Sequence, residues 1–140
     1  MPDKRSVKVG FQSWQQEGAQ QFTLEGELYR LQLGWTLVYR ESPDENGVIA
    51  INTLFIEANE LRLRRRGTIF LEQGFRQGES LPGKMETPYG THSVEALTSH
   101  LNIELAESGG VIEWKYDLLM QDQPVGSFHI RLDIREEQAE

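Results

Sequence analysis

The stretch GGVIEWKYDLLM, residues 109 to 120, decides the fold class of this chain. From Ile112 onward every second residue is apolar, and Glu113, Lys115 and Asp117 occupy the positions between them. Successive side chains of a β-strand point to opposite faces of the sheet, so this alternation is typical of a strand with one buried face and one wet face. The stretch therefore predicts a half-buried strand.

The same period of two residues recurs along most of the chain, and no window holds a sustained helical period. Turn-forming segments separate the runs: QEGAQ at 16–20, PDENG at 43–47, ESGG at 107–110 and QDQPVG at 121–126. Within PDENG, Asn46-Gly47 is a strong hairpin signal and predicts a type I′ turn. We therefore expect about nine or ten strands of ordinary length. Their inward residues are Val7, Val9, Phe11; Phe22, Leu24, Gly26, Leu28; Leu33, Trp35, Leu37, Tyr39; and Phe128, Ile130, Leu132, Ile134.

Consecutive hairpins with one apolar face favour a closed barrel or a two-sheet sandwich. The barrel is favoured here because glycines inside or beside strands commonly mark the bends that curve a sheet. The apolar phase also changes along one long strand: Val94, Ala96 and Thr98 are even-numbered, whereas Leu101 and the apolar residues after it are odd-numbered. A bulge near Ser99-His100 would keep both halves facing inward. We predict an all-β antiparallel barrel of about eight to ten strands, forming one domain over residues 1–140.

Composition limits the function classes. The 22 acidic and 14 basic residues give a net charge of −8, which repels polyanions and counts against a nucleic-acid partner. There are zero cysteines, so disulfides and thiolate metal sites are excluded. No run approaches 18 apolar residues and the first ten residues lack a signal-peptide core, so we expect a cytoplasmic protein without a membrane partner.

The segment KMETPYGTH, residues 84–92, is the most motif-like part of the chain. Thr87-Pro88-Tyr89-Gly90 fits a type I turn, with proline at the second position and glycine at the fourth. The simplest interpretation is a turn between two strands. The alternative is that Tyr89 lies at a barrel mouth and contacts a ligand.

The block METPYGTHSVEALTSHLNIELAESGGVIEWKYDL, residues 85–118, resembles the YwiB-like proteins of Bacillus-type bacteria, a family of unknown function. Further matches follow the same order along the chain: EGELY at 25–29, LVYRE at 37–41, Arg65 and Gly67, Gly74 and Phe75, and Ile130 to Ile134. The chain departs from the family at Met85, where an aromatic residue, usually tyrosine, is expected. The resemblance implies a lipocalin-like (calycin) barrel and brings no established activity or catalytic residue.

The basic segment LRLRRRG, residues 61–67, contains one arginine of opposite orientation. Arg65 shares the phase of Leu61 and Leu63, so its side chain should point inward. An unpaired buried charge costs several kcal/mol, about 3–5 on removal of a partner, so Arg65 needs a partner or a ligand. Glu41 has the inward phase and is the natural candidate.

Tyr39, Thr98 and Tyr116 can add hydroxyl groups to the same interior. In one interpretation these residues form a satisfied polar network that only fixes strand register. In the other, Arg65 presents its guanidinium to a small molecule inside the barrel. The candidate ligand-binding residues are Arg65, Glu41, Tyr39, Thr98, Tyr116 and Tyr89.

The leading functional hypothesis is non-catalytic binding of a small anionic or amphipathic ligand in the barrel. The alternative is a structural or regulatory protein-interaction module whose barrel is packed solid by Trp35, Trp114 and Phe128. A weaker hypothesis is an enzyme with Glu41 or Tyr89 as acid or base. No cofactor or catalytic residue is predicted. No metal site is predicted either, because the histidines at 92, 100 and 129 lack metal-site spacing and His129 should face outward.

Arg62, Arg64 and Arg66 should face solvent. The simplest interpretation is a charged strand face that discourages edge pairing, and the alternative is a docking patch for an acidic protein. A second copy of the chain is a further partner hypothesis.

Overall fold

The computed structural model describes residues 3–15 and 18–137. This part of the chain forms ten β-strands and no helix, so it contains no helix able to cross a membrane. The strands are β1 (Asp3–Gln15), β2 (Gly18–Leu31), β3 (Gly34–Arg40), β4 (Ile51–Ile56), β5 (Leu61–Arg66), β6 (Phe70–Phe75), β7 (Ser80–Thr87), β8 (Gly90–Ala106), β9 (Gly109–Met120) and β10 (Gln123–Glu136).

The strands form a closed antiparallel barrel, which confirms the predicted fold class. Each strand pairs with the one before it, and β1 pairs with β10 to close the sheet, with Val9 opposite Ile134. Because consecutive strands run in opposite directions, the turns after odd-numbered strands all lie at one end of the barrel. We call this end the odd-turn end.

Closure corrects one interpretation of the outer arginines. β5 pairs with β4 on one side and with β6 on the other, so it has no free edge. Arg62, Arg64 and Arg66 therefore do not protect an edge from pairing. Another explanation is needed for a run of like charges on this strand.

The interior is mostly apolar and follows the predicted phases. In β1, β3 and β9 the residues Val9, Leu37 and Ile112 are fully buried, at 0% exposure. Leu33 is the exception among the residues predicted to face inward. It lies in the β2–β3 turn and is 88% exposed, because β3 begins at Gly34, one residue later than the alternation suggests.

The bulge predicted in the long strand β8 is present. Its pairing with β9 shifts register between Thr98 and His100. Thr98 on one side is buried and Leu101 on the other packs against the core, so both halves of the strand face inward. One extra residue in β8 thus absorbs the change of phase.

The turn at 43–47 is present, but its type differs from the prediction. Gly47 has a φ of 78°, whereas Asn46 is not among the residues with positive φ, so the turn is not type I′. The Asp44 carboxylate accepts hydrogen bonds from the backbone N–H groups of Asn46 and Val48, which favours a wider turn closed by the side chain. Positive φ at two adjacent residues occurs instead at Gln121 and Asp122, between β9 and β10.

The segment Thr87–Gly90 is the expected turn between β7 and β8. The Tyr89 N–H donates to the Thr87 Oγ1 at 3.1 Å, and positive φ falls on Gly90 rather than on Tyr89. These angles agree with the type I turn expected from Pro88.

Candidate functional site

The barrel is packed at one end and hollow at the other. A cavity of about 350 Å³ lies inside the odd-turn end, and its wall takes residues from eight of the strands and from the β3–β4 loop. Below it, Leu24, Trp114 and Ile130 separate the cavity from the apolar core. Trp114 is 2% exposed and lines the cavity, so it forms part of the floor.

One row of neighbouring residues carries the polar side of this cavity. Tyr39 of β3 pairs with Asn52 of β4, Asn52 pairs with Arg65 of β5, and Arg65 pairs with Leu71 of β6. Directly opposite residues in an antiparallel sheet point to the same face, so all four side chains face inward. The sheet register therefore assembles the site from four separate strands.

Glu41 completes this row as the ion-pair partner of Arg65. Its Oε2 accepts from Arg65 Nε at 2.8 Å and its Oε1 accepts from Arg65 Nη2 at 3.2 Å, which is the bidentate geometry typical of arginine and carboxylate. The Glu41 Oε2 also accepts from Asn52 Nδ2 at 2.8 Å. Arg65 Nη1 donates to the carbonyl oxygen of Ile69 at 3.0 Å. The ion pair expected from the sequence is thus present.

The β3–β4 loop positions Glu41 just beyond the end of its strand. The Glu41 N–H donates to the Ala50 carbonyl oxygen at 3.0 Å and closes the base of the loop. Farther out, Thr68 donates its hydroxyl to the Asp44 carboxylate at 2.8 Å and ties the loop to the β5–β6 turn. The β3–β4 loop, which carries Glu41, and the β5–β6 turn, which follows Arg65, are therefore held together at the mouth of the cavity.

The electrostatics favour an ionised carboxylate beside neutral phenols. Burial alone would raise the pKa of Glu41, but the hydrogen bonds from Arg65 and Asn52 outweigh it and hold the pKa below its ordinary value. Burial raises the pKa of Tyr39 well above its ordinary value, and the negative charge of Glu41 adds to the effect. Burial likewise raises the pKa of Tyr116. Both phenols are protonated at neutral pH and can donate hydrogen bonds.

Aromatic side chains form the opposite wall. Tyr116 stacks on Phe128 with ring centroids 5.1 Å apart and an interplanar angle of 20°. Tyr116 also contacts Phe75 in the core, at 4.6 Å between centroids. Phe11 and Phe22 lie on the same wall, with centroids 6.3 Å apart. A ligand in the cavity would meet polar groups on one side and aromatic rings on the other.

The structure brings four of the six candidate residues to the cavity wall: Tyr39, Glu41, Arg65 and Tyr116. Thr98 is inside the barrel at 0% exposure but is not part of that wall, and its hydroxyl has no hydrogen-bond partner among the described residues. Tyr89 lies in a turn at the odd-turn end, but its side chain is 95% exposed and does not reach the cavity. The turn directs this side chain to solvent, so Tyr89 is not part of the site.

Asn52 is the polar residue that sequence reasoning missed. It is 3% exposed and its side chain holds the Glu41 carboxylate. Its phase in INTLFI, shared with Leu54 and Ile56, indicates an inward side chain and could have found it. Ser13, also 3% exposed, lines the cavity through the same phase as Val9 and Phe11.

His129 lies on the outer face of β10, where it stacks on Trp14 at 4.4 Å between ring centroids. It also contacts the Glu113 carboxylate, so the predicted outward side chain is half-buried rather than free in solvent. Within residues 3–15 and 18–137, no three histidine or carboxylate side chains are grouped so that they could hold a metal ion.

The fold and the cavity define the class of protein: a closed, ten-stranded antiparallel barrel with a bidentate ion pair at the mouth of an internal cavity. Residues 7–132 match the family described as "Domain of unknown function (DUF1934)", and the chain belongs to that family. The crystal structure of the YwiB protein from Bacillus subtilis is similar, with a TM-score of 0.83 and 19% identity over 96% of this chain and 94% of that chain. At this identity the likeness shows the fold, and the expected YwiB-like membership is confirmed. Among curated proteins, no match is found.

Proposed function

We propose that this protein binds a small amphipathic molecule in the barrel cavity without catalysing a reaction. The observation that carries the proposal is the hollow odd-turn end, where Arg65 faces a wall of aromatic rings across about 350 Å³. This volume lies near the lower end of the range for small-molecule pockets, roughly 300–1,000 Å³. Barrels of similar strand number are known to hold one small ligand, as lipocalins do.

The hydrogen-bonding groups indicate the chemistry of the ligand's polar end. A guanidinium has about five N–H donors, and among the described residues Arg65 uses three of them, two on Glu41 and one on Ile69. The protonated hydroxyls of Tyr39 and Tyr116 add further donors. The one carboxylate, Glu41, already accepts three hydrogen bonds. Arg65, Tyr39 and Tyr116 thus offer donors beyond those that Glu41 uses, so a ligand with an acceptor oxygen, a carbonyl or carboxylate, fits this side of the cavity.

The charges favour a modest rather than a strong anion. Glu41 neutralises Arg65 at 2.8 Å, so the cavity mouth has little net positive charge to attract a phosphate or a polyanion. A single carboxylate can share the free N–H groups of Arg65, and a neutral carbonyl avoids repulsion by Glu41. Of the two ligand types expected from the sequence, the amphipathic one is better supported.

The solid interaction barrel is the alternative, and the packing counts against it at the odd-turn end. Trp35 and Trp114 do pack in or against the core, as that hypothesis requires. Phe128, however, lies on the cavity wall and leaves the space beside it open. The hollow end thus supports ligand binding over a filled barrel.

Native mass spectrometry tests this proposal directly. Protein purified without denaturant is weighed intact and again after denaturation, in three forms: wild type, Arg65→Met and Arg66→Met. Arg66→Met is the matched control, because Arg66 is the next residue of β5 and is exposed on the outer face. We expect a stoichiometric adduct that is released on denaturation, present in wild type and the control and lost in Arg65→Met.

A second titration tests the polar end without knowledge of the natural ligand. Benzoate, benzamide and toluene share one ring and differ in their acceptor oxygens, and quenching of tryptophan fluorescence reports binding near Trp114. The acceptor-bearing compounds should bind more tightly than toluene in wild type and equally weakly in Arg65→Met. Absence of any adduct, together with equal affinities for all three compounds, would overturn the proposal.

A further inference from the structure

Within the part of the chain that the structure describes, the three outer arginines of β5 form no salt bridge, although Glu72 of β6 lies opposite Arg64. Among the described residues, Arg62, Arg64 and Arg66 have no acidic oxygen within 4.0 Å, whereas six of the seven other arginines do. The chain has 22 acidic and 14 basic residues, so carboxylates are plentiful. Three unpaired arginines at alternate positions of one strand are a local excess of positive charge on an acidic protein.

Two of these arginines border a groove on the outside of the barrel. The groove, of about 370 Å³, is lined by Phe55, Arg62, Arg64, Glu72, Gly74, Pro82 and Lys84 among others, and we call it the basic groove. The guanidinium carbons of Arg62 and Arg64 lie 5.5 and 5.9 Å from the centre of the Phe55 ring. Cation–π contacts of this kind hold arginine side chains in place while their N–H groups remain free to bind.

The spacing of the arginines indicates the shape of a partner. Alternate residues of a strand are roughly 6.6 Å apart, twice the rise of about 3.3 Å per residue. An extended peptide with an acidic residue at every second position presents carboxylates at the same spacing. Gly74 lacks a side chain and keeps the floor between the strands low, so that such a peptide can approach.

We propose that the basic groove, together with Arg66, docks an extended acidic segment of a partner protein. The inference is independent of the ligand cavity, which lies on the inner face of the same strands. Charge complementarity carries it: the arginines repel one another at alternate positions, and an acidic segment relieves that repulsion. With no strand edge to protect, the arginines have no role in edge protection.

The surroundings favour an acidic peptide over a nucleic acid. Glu72 lies in the groove and Glu86 pairs with Lys84 at 3.1 Å, so the basic surface is short and bounded by negative charge. A protein that binds a polynucleotide uses a continuous basic surface to contact several phosphates, about 6–10 of them. The net charge of −8 also repels a long polyanion, whereas a short acidic segment needs only the three arginines.

The test uses a fluorescein-labelled peptide of alternating glutamate and serine, twelve residues long, and fluorescence anisotropy at low and high salt. The variant Arg62→Gln/Arg64→Gln removes two groove charges. The matched control Lys115→Gln/Arg135→Gln removes two exposed charges that also have no carboxylate within 4.0 Å among the described residues but lie outside the groove. Circular dichroism and thermal unfolding confirm that both variants are folded.

We expect the peptide to bind wild type and the control alike, about tenfold more weakly to the groove variant, and more weakly to all of them at high salt. Equal affinity for the groove variant and the control would overturn the proposal, as would no binding at low salt. Preferential, arginine-dependent binding of a labelled oligothymidine would overturn the choice of partner. So would a dimer of the chain that dissociates on Arg62→Gln/Arg64→Gln.

Discussion

Replacement of Arg65 by methionine removes the charge and all three hydrogen bonds of the guanidinium while keeping most of the side-chain volume. The Arg65 and Glu41 side chains are 29% and 36% exposed, so solvent screens the pair and its contribution lies nearer that of surface pairs than of buried ones. We assign about 1 kcal/mol to the pair and about 1 kcal/mol to the bond with Ile69. The free energy of unfolding should fall by about 2 kcal/mol, which lowers Tm by about 4–8 °C.

A double-mutant cycle of Arg65→Met and Glu41→Gln, followed by urea unfolding and tryptophan fluorescence, isolates the pair. At pH 7 the coupling should be about 1 kcal/mol. The pKa of Glu41 is lowered in the folded protein, so this stability is present above the unfolded value of 4.5 and is lost as pH falls through the folded value. The coupling should therefore vanish in acid. An unchanged urea midpoint for Arg65→Met, or zero coupling at pH 7, would refute the inward ion pair.

Further predictions concern the interior. Tyr39 and Tyr116 should ionise well above 10.0 in the folded protein, because burial raises both pKa values. Their share of the absorbance at 295 nm, taken as the difference between wild type and Tyr39→Phe/Tyr116→Phe, should rise only on alkaline unfolding, and a rise in this difference near pH 10 in native protein would contradict the burial of both rings. Because these pKa values are raised, the contribution of the two protonated phenols to the free energy of unfolding is complete below pH 10.0 and is lost as pH rises above it. Thr98→Val removes a buried hydroxyl without a partner, so the free energy of unfolding should stay constant or rise by about 1 kcal/mol, and a loss of that size would indicate a hydrogen bond. Gly83→Ala places a Cβ atom against the buried amide oxygen of Gln73 and should lower the free energy of unfolding by about 1–3 kcal/mol. Gly10→Ala is the control and should be tolerated, because the nearest atom to its Cβ lies at 3.5 Å. Equal urea midpoints for the two variants would contradict the packing around Gly83.

The period of two residues predicted most of the fold because burial imposes that period directly. It placed Trp114 and Ile112 inside, and its interruption after Thr98 located the bulge. Closure was favoured only indirectly, because the pairing of β1 with β10 joins residues far apart in the sequence. The prediction for Leu33 was wrong because alternation does not say where a strand begins, and the β2–β3 turn places this residue in solvent.

Phase also predicted the ion pair of the site, since an inward arginine requires a carboxylate and Glu41 had the right phase. Phase gives the face of the sheet but not the depth along the barrel axis, which depends on the stagger between strands. Thr98 was correctly placed inside, and it pairs with Tyr116 of the cavity wall, but its own side chain does not line the cavity. Asn52 was overlooked because its amide carries no charge to require a partner.

The run of arginines shows how the inner and outer faces of β5 depend on one register. A slip of one residue exchanges the two faces of a strand. It would expose Leu61 and Leu63, leave Glu41 without Arg65, and bring Arg62, Arg64 and Arg66 into an apolar interior. Each unpaired charge would then cost several kcal/mol, about 3–5 by analogy with broken buried pairs, so the alternative register is excluded. The same alternation that gives the cavity its single arginine therefore places the other three on the outer surface, where we propose that they dock an acidic segment.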